Sequence, residues 1–350
     1  MISHAPRSSL VLTTGLLVLA ALIILSLMVG SRMISPIDAL SGLFTPGSGS
    51  ASIIVWQLRI PRTLAAIAVG VALAVAGILM QSLTRNPLAE PGLLGVNSGA
   101  AVFVVSGIAA LGITDASGQM WMALFGAGLA ATAVFYIGAT GKGESIARLL
   151  LAGIALNACL SAVTGIITMF NSRAFDSYRF WVVGGFESRE LSVVLTSTPL
   201  LLAGLILGFV LIRPLGALAL GQDAAAGLGV PVPLVQAGTL LSITLLCGTA
   251  TAIAGPLSFV GLVVPHVLRL LVGVSLSRLL PLSVIGGPIL VLTADIVGRV
   301  IAIPSEVEAG IVTAFIGAPL LLALVLRLDS AGAHRARKIK RISRSEGKDQ

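Results

Sequence analysis

Arg85-Asn86-Pro87-Leu88-Ala89-Glu90-Pro91-Gly92-Leu93-Leu94-Gly95-Val96-Asn97-Ser98-Gly99-Ala100 separates two apolar segments, each able to cross a bilayer. The stretch holds an Arg, a Glu, two Asn and two Pro where its flanks are almost wholly apolar. Pro87 and Pro91 lack a backbone donor and push the residues before them out of helical geometry. One spanning helix therefore ends here and another begins. Non-helical backbone at membrane depth is tolerated only against protein or a water-filled cavity. The stretch is thus either part of a path wall or a plain loop between two helices.

The flanks repeat throughout the chain. Of 350 residues, 56% are hydrophobic and 10% charged, and the mean hydropathy is +1.05. Soluble domains carry roughly 25% charged residues, so this is a polytopic, all-α membrane protein. The net charge of +8 gathers largely in the tail, at Arg335, Arg337, Lys338, Lys340, Arg341, Arg344 and Lys348. Such a tail reads as cytoplasmic and near anionic lipid. Without interleaved aromatics it does not read as a nucleic-acid site. Cys159 and Cys247 lie in separate apolar segments and read as core residues. His4, His266 and His334 are too scattered for a metal site, and His266 reads as structural.

Ten spans fit, at roughly 10–30, 54–83, 93–111, 120–139, 147–170, 191–212, 234–254, 257–271, 281–301 and 309–327. The first is too long for a usual signal-peptide core and is read as retained. The expected division is one transmembrane domain over 1–328 and a disordered basic tail over 329–350. An even number of spans puts both termini on one side. With that side cytoplasmic, 15 of the 22 basic residues face inward, as the positive-inside rule requires.

The outward remainder includes Arg59, Arg62 and Arg299. Arg59 and Arg62 share a face if their turn is helical, and Pro61 suits a first helical turn. A basic outer patch either docks an acidic partner or snorkels to headgroups. Asp295 precedes Arg299 by four residues, the favourable order for a helical pair, and reads as its structural partner. From Gly255-Pro256 to Pro265-His266, Gly and Pro bracket a short apolar run, as in a broken helix lining a cavity or gate. The stretch from Leu215 to Pro231 fits short helices with tight turns, able to lie in a groove of a motor subunit. Gly138-Ala139-Thr140-Gly141-Lys142-Gly143 is not a phosphate loop. It lacks the first Gly, the final Ser or Thr and a preceding strand, so ATP-driven work needs another subunit.

Taken together, these stretches resemble the permease subunits of the iron-siderophore and vitamin B12 branch of ABC importers, type II. The resemblance covers about 50–328. It runs through Arg59 to Ala65, Gln81, Arg85 to Ala100, Arg148 to Gly153, Arg179 to Gly185, Leu220 to Pro231, Gly255 to Arg269, Ala294 to Arg299 and Gly317-Ala318-Pro319. It implies a ten-helix subunit, itself no enzyme, that pairs around a central path with a second permease subunit. A homologous heterodimer is favoured over a homodimer. Two ATPase subunits carrying ATP and magnesium would dock on Leu218, Gly221, Gln222, Asp223, Ala224, Gly227, Leu228 and Gly229. A periplasmic or lipid-anchored siderophore-binding protein would meet Arg59, Arg62 and Arg299 from outside. Asn86, Pro87 and Leu88 match the cytoplasmic gate, joined by Ser145 and Ile146, where relatives often carry hydroxyl residues. No cofactor or metal is expected on this chain, and the location implied is the bacterial inner membrane.

The run Phe175 to Trp181 looks like siderophore members, and Ile243 to Ile253 resembles the ferric-enterobactin members in particular. Many relatives have Pro-x-Gly before the last span, where this chain has Glu308-Ala309-Gly310. The resemblance thus implies ferric-siderophore import. Cobalamin or haem import is the alternative, and a proton- or sodium-driven transporter the rival from another class.

Overall fold

A computed structural model describes residues 5–30, 42, 52–139, 145–187, 189–323 and 326. The tail at 329–350 lies outside the described residues, as do residues 140–144 and the side chains of Ser145 and Ile146. The described residues fold into helices without a strand. In chain order these are α1 (Ala5–Met28), α2 (Ile60–Thr84), α3 (Val96–Leu111), α4 (Ala116–Ala139), α5 (Ser145–Phe170) and α6 (Ser172–Trp181). Then come α7 (Leu191–Val210), α8 (Ile212–Leu218), α9 (Gln222–Gly227), α10 (Val232–Ala254), α11 (Val260–Val272) and α12 (Leu276–Ile301). Finally α13 runs over Ala309–Ala323. Among the described residues, seven segments are long and apolar enough to cross a membrane, and α3, α11 and α13 are shorter apolar helices.

The bundle is built around α2, which packs against α7, α10, α11 and α12. Its small residues explain why. Ala65, Ala66, Gly70, Ala72, Ala74, Ala76 and Gly77 are all buried, and small side chains let helices approach closely where apolar burial gives little drive. A Cβ at Gly77 would stand 2.0 Å from the Gly261 carbonyl oxygen, and one at Gly70 2.6 Å from the Gly287 carbonyl carbon. Around this core, α3 and α4 pair, α5 lies against both, and α1 packs on α12 at the rim.

Prolines shape the local geometry. Pro61 cannot donate to the carbonyl four residues earlier, and the chain over Ile54–Arg59 widens into a π-turn just before it. Gly255 ends α10 at φ +78°, and α11 restarts after Phe259. The break is thus on the N-terminal side alone. Pro265 lies inside α11 and does not end the run. It leaves the Gly261 carbonyl without its helical donor, and Gln81 Nε2 donates to that oxygen at 3.0 Å.

Two further differences from the expected layout are plain. Residues 172–181, expected between spans, form α6, capped by Asn171 Oδ1 accepting from the Ala174 N–H at 2.9 Å. Cys247 is buried, but Cys159, expected in the core, is exposed, because α5 turns a broad face outward from the single chain.

Candidate functional site

Three regions concentrate polar chemistry. At one end of α2 the structure brings Arg59, Arg62 and Arg299 around one cavity of about 290 Å³, together with Arg189, Glu187 and Glu306. The arginines are not a loose surface. Arg62 grips Asp295 with two nitrogens, Nη2 to Oδ1 at 2.8 Å and Nε to Oδ1 at 3.0 Å. Its remaining nitrogen, Nη1, donates to Glu306 at 2.6 Å. Arg299 pairs with the other oxygen of Asp295. It also donates to the Ser26 and Val29 carbonyls at 2.9 and 3.0 Å, while Arg59 donates to the Leu27 carbonyl. Two guanidiniums thereby cap the C-terminus of α1, whose last carbonyls have no helical donors. Arg59 and Arg299 are buried, and the Arg62 side chain is 12% exposed. What this end presents at its surface is therefore the cavity they line, not three extended side chains.

Next to this cluster, Glu308 has a physical place. Gly185 leaves room for the Glu308 carboxylate, and the Gly310 N–H donates to the Gly184 carbonyl at 2.9 Å. Burial and then the neighbouring Glu187 raise the Glu308 pKa above the usual carboxylate range. Burial lowers that of Arg189, with Glu308 opposing. Glu187, Arg189 and Glu306 were not assigned to a site from sequence, and Glu308 was noted only as the residue standing where Pro-x-Gly was expected. They sit in short connectors, and only the fold carries them to Arg62.

The second region is the opening stretch. Asn86 and Pro87 are exposed, and Asn86 Oδ1 accepts from the Leu88 N–H at 2.9 Å in a local turn. Four residues on, the chain turns inward. Glu90 Oε1 accepts from the Phe259 N–H at 2.8 Å, and Phe259 itself sits at φ +69°. Gln81, Glu90, Gly261 and Phe259 thus join the end of α2 to the broken entry of α11. The segment is a turn at its tip and a packed strut from Ala89 onward.

Glu90 is held with its pKa raised by burial, the Phe259 N–H opposing. A raised folded-state value means that protonated Glu90 costs nothing below its unfolded pKa. Stability is then lost as pH rises through the raised value. Glu90→Gln keeps an acceptor without charge, so it is expected to match the wild type at low pH and equal or exceed it at neutral pH. Glu90→Ala leaves the Phe259 N–H unanswered and is expected to cost about 1–3 kcal/mol at both. Thermal unfolding of detergent-solubilised variants at pH 4 and 8 checks this. A Gln variant weaker than wild type only at pH 8 would reverse the sign.

The third region is at the opposite end. α8 and α9 form a shelf on which Gln222, Asp223, Ala224, Gly227, Leu228 and Gly229 are exposed while Leu218 is buried. Leu220 and Leu228 are 71% and 66% exposed. Behind the shelf lies a cavity of about 460 Å³ lined by Leu83, Phe135, Leu149, Asp223 and Gln236 among others. Toward the Arg62 end instead, α6 presents an exposed aromatic and cationic surface. Phe175 and Phe180 face outward, and the Arg179 guanidinium lies 4.8 Å above the Phe180 ring.

Comparison with known proteins agrees over most of the chain. The chain is 44% identical over 320 residues to the ferric enterobactin transport system permease protein of Escherichia coli (strain K12), covering 91% of this chain and 95% of that one. It is 39% identical to the Fe(3+)-citrate import system permease protein of Bacillus subtilis (strain 168), covering 86% and 89%. It is also 39% identical to the hemin transport system permease protein of Yersinia pestis, covering 78% and 83%. A solved structure described as an inward-facing conformation of a metal-chelate type ABC transporter superposes with TM-score 0.79 at 29% identity. That match covers 90% of this chain and 98% of the other. The FecCD transport family matches residues 17–327, from within α1 to past α13, and the chain belongs to that family.

Proposed function

We propose that the chain is one permease half of an ATP-driven importer of ferric siderophores. The observation that carries this is that one bundle holds a charged cavity at one end and an exposed shelf at the other. One end offers the charged cavity around Arg62; the other offers a shelf with two outward leucines. A binding protein's acidic side chain entering the cavity would meet Arg59, Arg62 and Arg299 together. Two ATPase subunits, holding ATP and magnesium, would grip Leu220 and Leu228, with Asn86 to Leu88 and the start of α5 at Ser145 and Ile146 as the gate beside them. Ten of the helices would cross the inner membrane with both termini cytoplasmic. The path would lie between this chain and a second permease, favoured as a homologue.

The iron-chelate class rests on the relatives named for ferric enterobactin and Fe(3+)-citrate and on the aromatic, cationic face of α6. Haem is the second reading, favoured by the hemin relative. A proton-driven mechanism finds little support, since Asp295 is held by two arginines.

Uptake of labelled iron as ferric enterobactin, Fe(3+)-citrate and haemin, beside labelled cobalamin, in cells with and without the chain tests the reading. Loss of one ferric chelate with cobalamin intact is expected. Leu220→Asp with Leu228→Asp should lower that uptake at least about tenfold by weakening ATPase contact. Loss of cobalamin uptake alone, or uptake that survives ATPase depletion and collapses with an uncoupler, would sink it.

A further inference from the structure

The rim helix α1 is joined unevenly to the bundle. At its C-terminal end Arg299 and Arg59 hold its carbonyls, and Ser26 Oγ meets Thr63 Oγ1 at 2.8 Å. Nearer its N-terminus it still meets α12, Gly15 lying close against Ile285. A groove of about 430 Å³ opens there between α1, α11 and α12, lined by Val11, Gly15, Val18, Val267, Leu271 and Ile289 among others. Its lining is apolar save for Thr14 and Thr293, and Thr14 spends its hydroxyl on the Leu10 carbonyl at 2.7 Å. Apolar shape, depth along the helices and an open flank suit an acyl chain.

A headgroup ligand lies on the same stripe. Arg278 precedes Leu282, Ile285 and Ile289 by four, seven and eleven residues, the spacing of one helix face. It has no ion pair or side-chain hydrogen bond among the described residues. No Asp or Glu stands anywhere between Asp223 and Asp295, so the nearby chain offers it no anion. An arginine fork matches a phosphate.

We propose that the groove between α1, α11 and α12 is a binding site for an anionic phospholipid, its acyl chain against Val267 and Ile289 and its phosphate on Arg278. The lipid fills the wedge that α1 leaves and completes the attachment of that helix. The inference rests on the membrane orientation proposed above, which places Arg278 at the cytoplasmic headgroups.

Native mass spectrometry of the purified full-length chain tests it, after equilibration with phosphatidylglycerol or phosphatidylcholine bearing the same acyl chains. Phosphatidylglycerol should be retained about fivefold better, the effect of one arginine at a lipid surface. Arg278→Gln should abolish that preference, and Val267→Trp, at a position 42% exposed, should lower retention of both lipids. Equal retention of the two lipids by the wild type, a preference that survives Arg278→Gln, or retention untouched by Val267→Trp would overturn the site. So would a Val267→Cys variant that cross-links to another polypeptide in the membrane. Iron uptake is followed in the same variants. Lost lipid selectivity with uptake present strikes the lipid site alone. Absent uptake of every chelate strikes the transport reading and leaves the lipid result standing.

Discussion

Asp295→Ala is expected to destabilise the folded chain by about 3–5 kcal/mol, the cost of removing one partner from a buried ion pair. The Asp295 side chain is fully buried between Arg62 and Arg299. Its loss leaves Arg299 facing Ser26 and two carbonyls with no neutralising charge in contact. Arg62 keeps only Glu306. The effect spreads because the cluster ties three elements together: α1 through its terminal carbonyls, α2 through Arg62, and α12 through Asp295 and Arg299. Asp295→Asn keeps an acceptor of the same shape and should cost less, about 1.5–3 kcal/mol, the range for hydrogen bonds to charged groups. The discriminating variant is Asp295→Ala with Arg299→Met. With the stranded charge gone, it should recover part of the loss. Unfolding midpoints in one detergent, wild type against the three variants, check the order. A double variant no better than Asp295→Ala would show that Arg299 acts through its α1 carbonyls and not through its charge.

This cluster shows how far the sequence could be read. Asp295 and Arg299 are four residues apart on one helix, and their pairing is visible from spacing alone. Arg62 is 233 residues from Asp295 and Glu306 is 244 from Arg62. No local pattern reports such distances. The outer arginines were therefore visible as charge but not as a buried knot, and the three capped carbonyls at and just beyond the end of α1 carry no sequence signal. The helices themselves were legible, because each long apolar run must satisfy its backbone internally. The break at Gly255-Pro256 was legible for the reason that glycine and proline act locally. Pro265 misled because its effect is non-local: Gln81, far along the chain, supplies the donor that the proline removes. α6 was missed since it is short and polar, although Asn171 was a readable cap. The shelf of α8 and α9 followed from Gly221, Gly227 and Gly229, whereas the exposure of Leu220 and Leu228 required the fold.

Gly77→Ala, one added methyl group, is expected to be nearly as damaging as the loss of Asp295, on the order of 3 kcal/mol or more. The new Cβ would lie 2.0 Å from the Gly261 oxygen and 2.5 Å from its Cα. Neither is the end of a flexible side chain. Gly261 opens α11, and that opening is held on one side by Gln81 and on the other by Glu90 through Phe259. To admit the methyl group, α2 and α11 must separate, and both hydrogen bonds must lengthen with them. Gly128→Ala is the matched control. It too replaces a mid-helix glycine in an apolar span, but nothing stands within 4 Å of its Cβ position. There the helix gains alanine's better propensity, about 0.5–1 kcal/mol. From sequence the two glycines look alike, so opposite signs would come from the close approach alone. The unfolding midpoint and labelled-iron uptake should both fall for Gly77→Ala, while for Gly128→Ala the midpoint should rise slightly and uptake hold. If Gly77→Ala unfolds at the wild-type midpoint but loses uptake, α2 and α11 can part in the folded chain. The contact would then govern movement of the strut between Gln81 and Phe259, not stability. If neither measure changes, the close packing of α2 on α11 is not a feature of the folded protein.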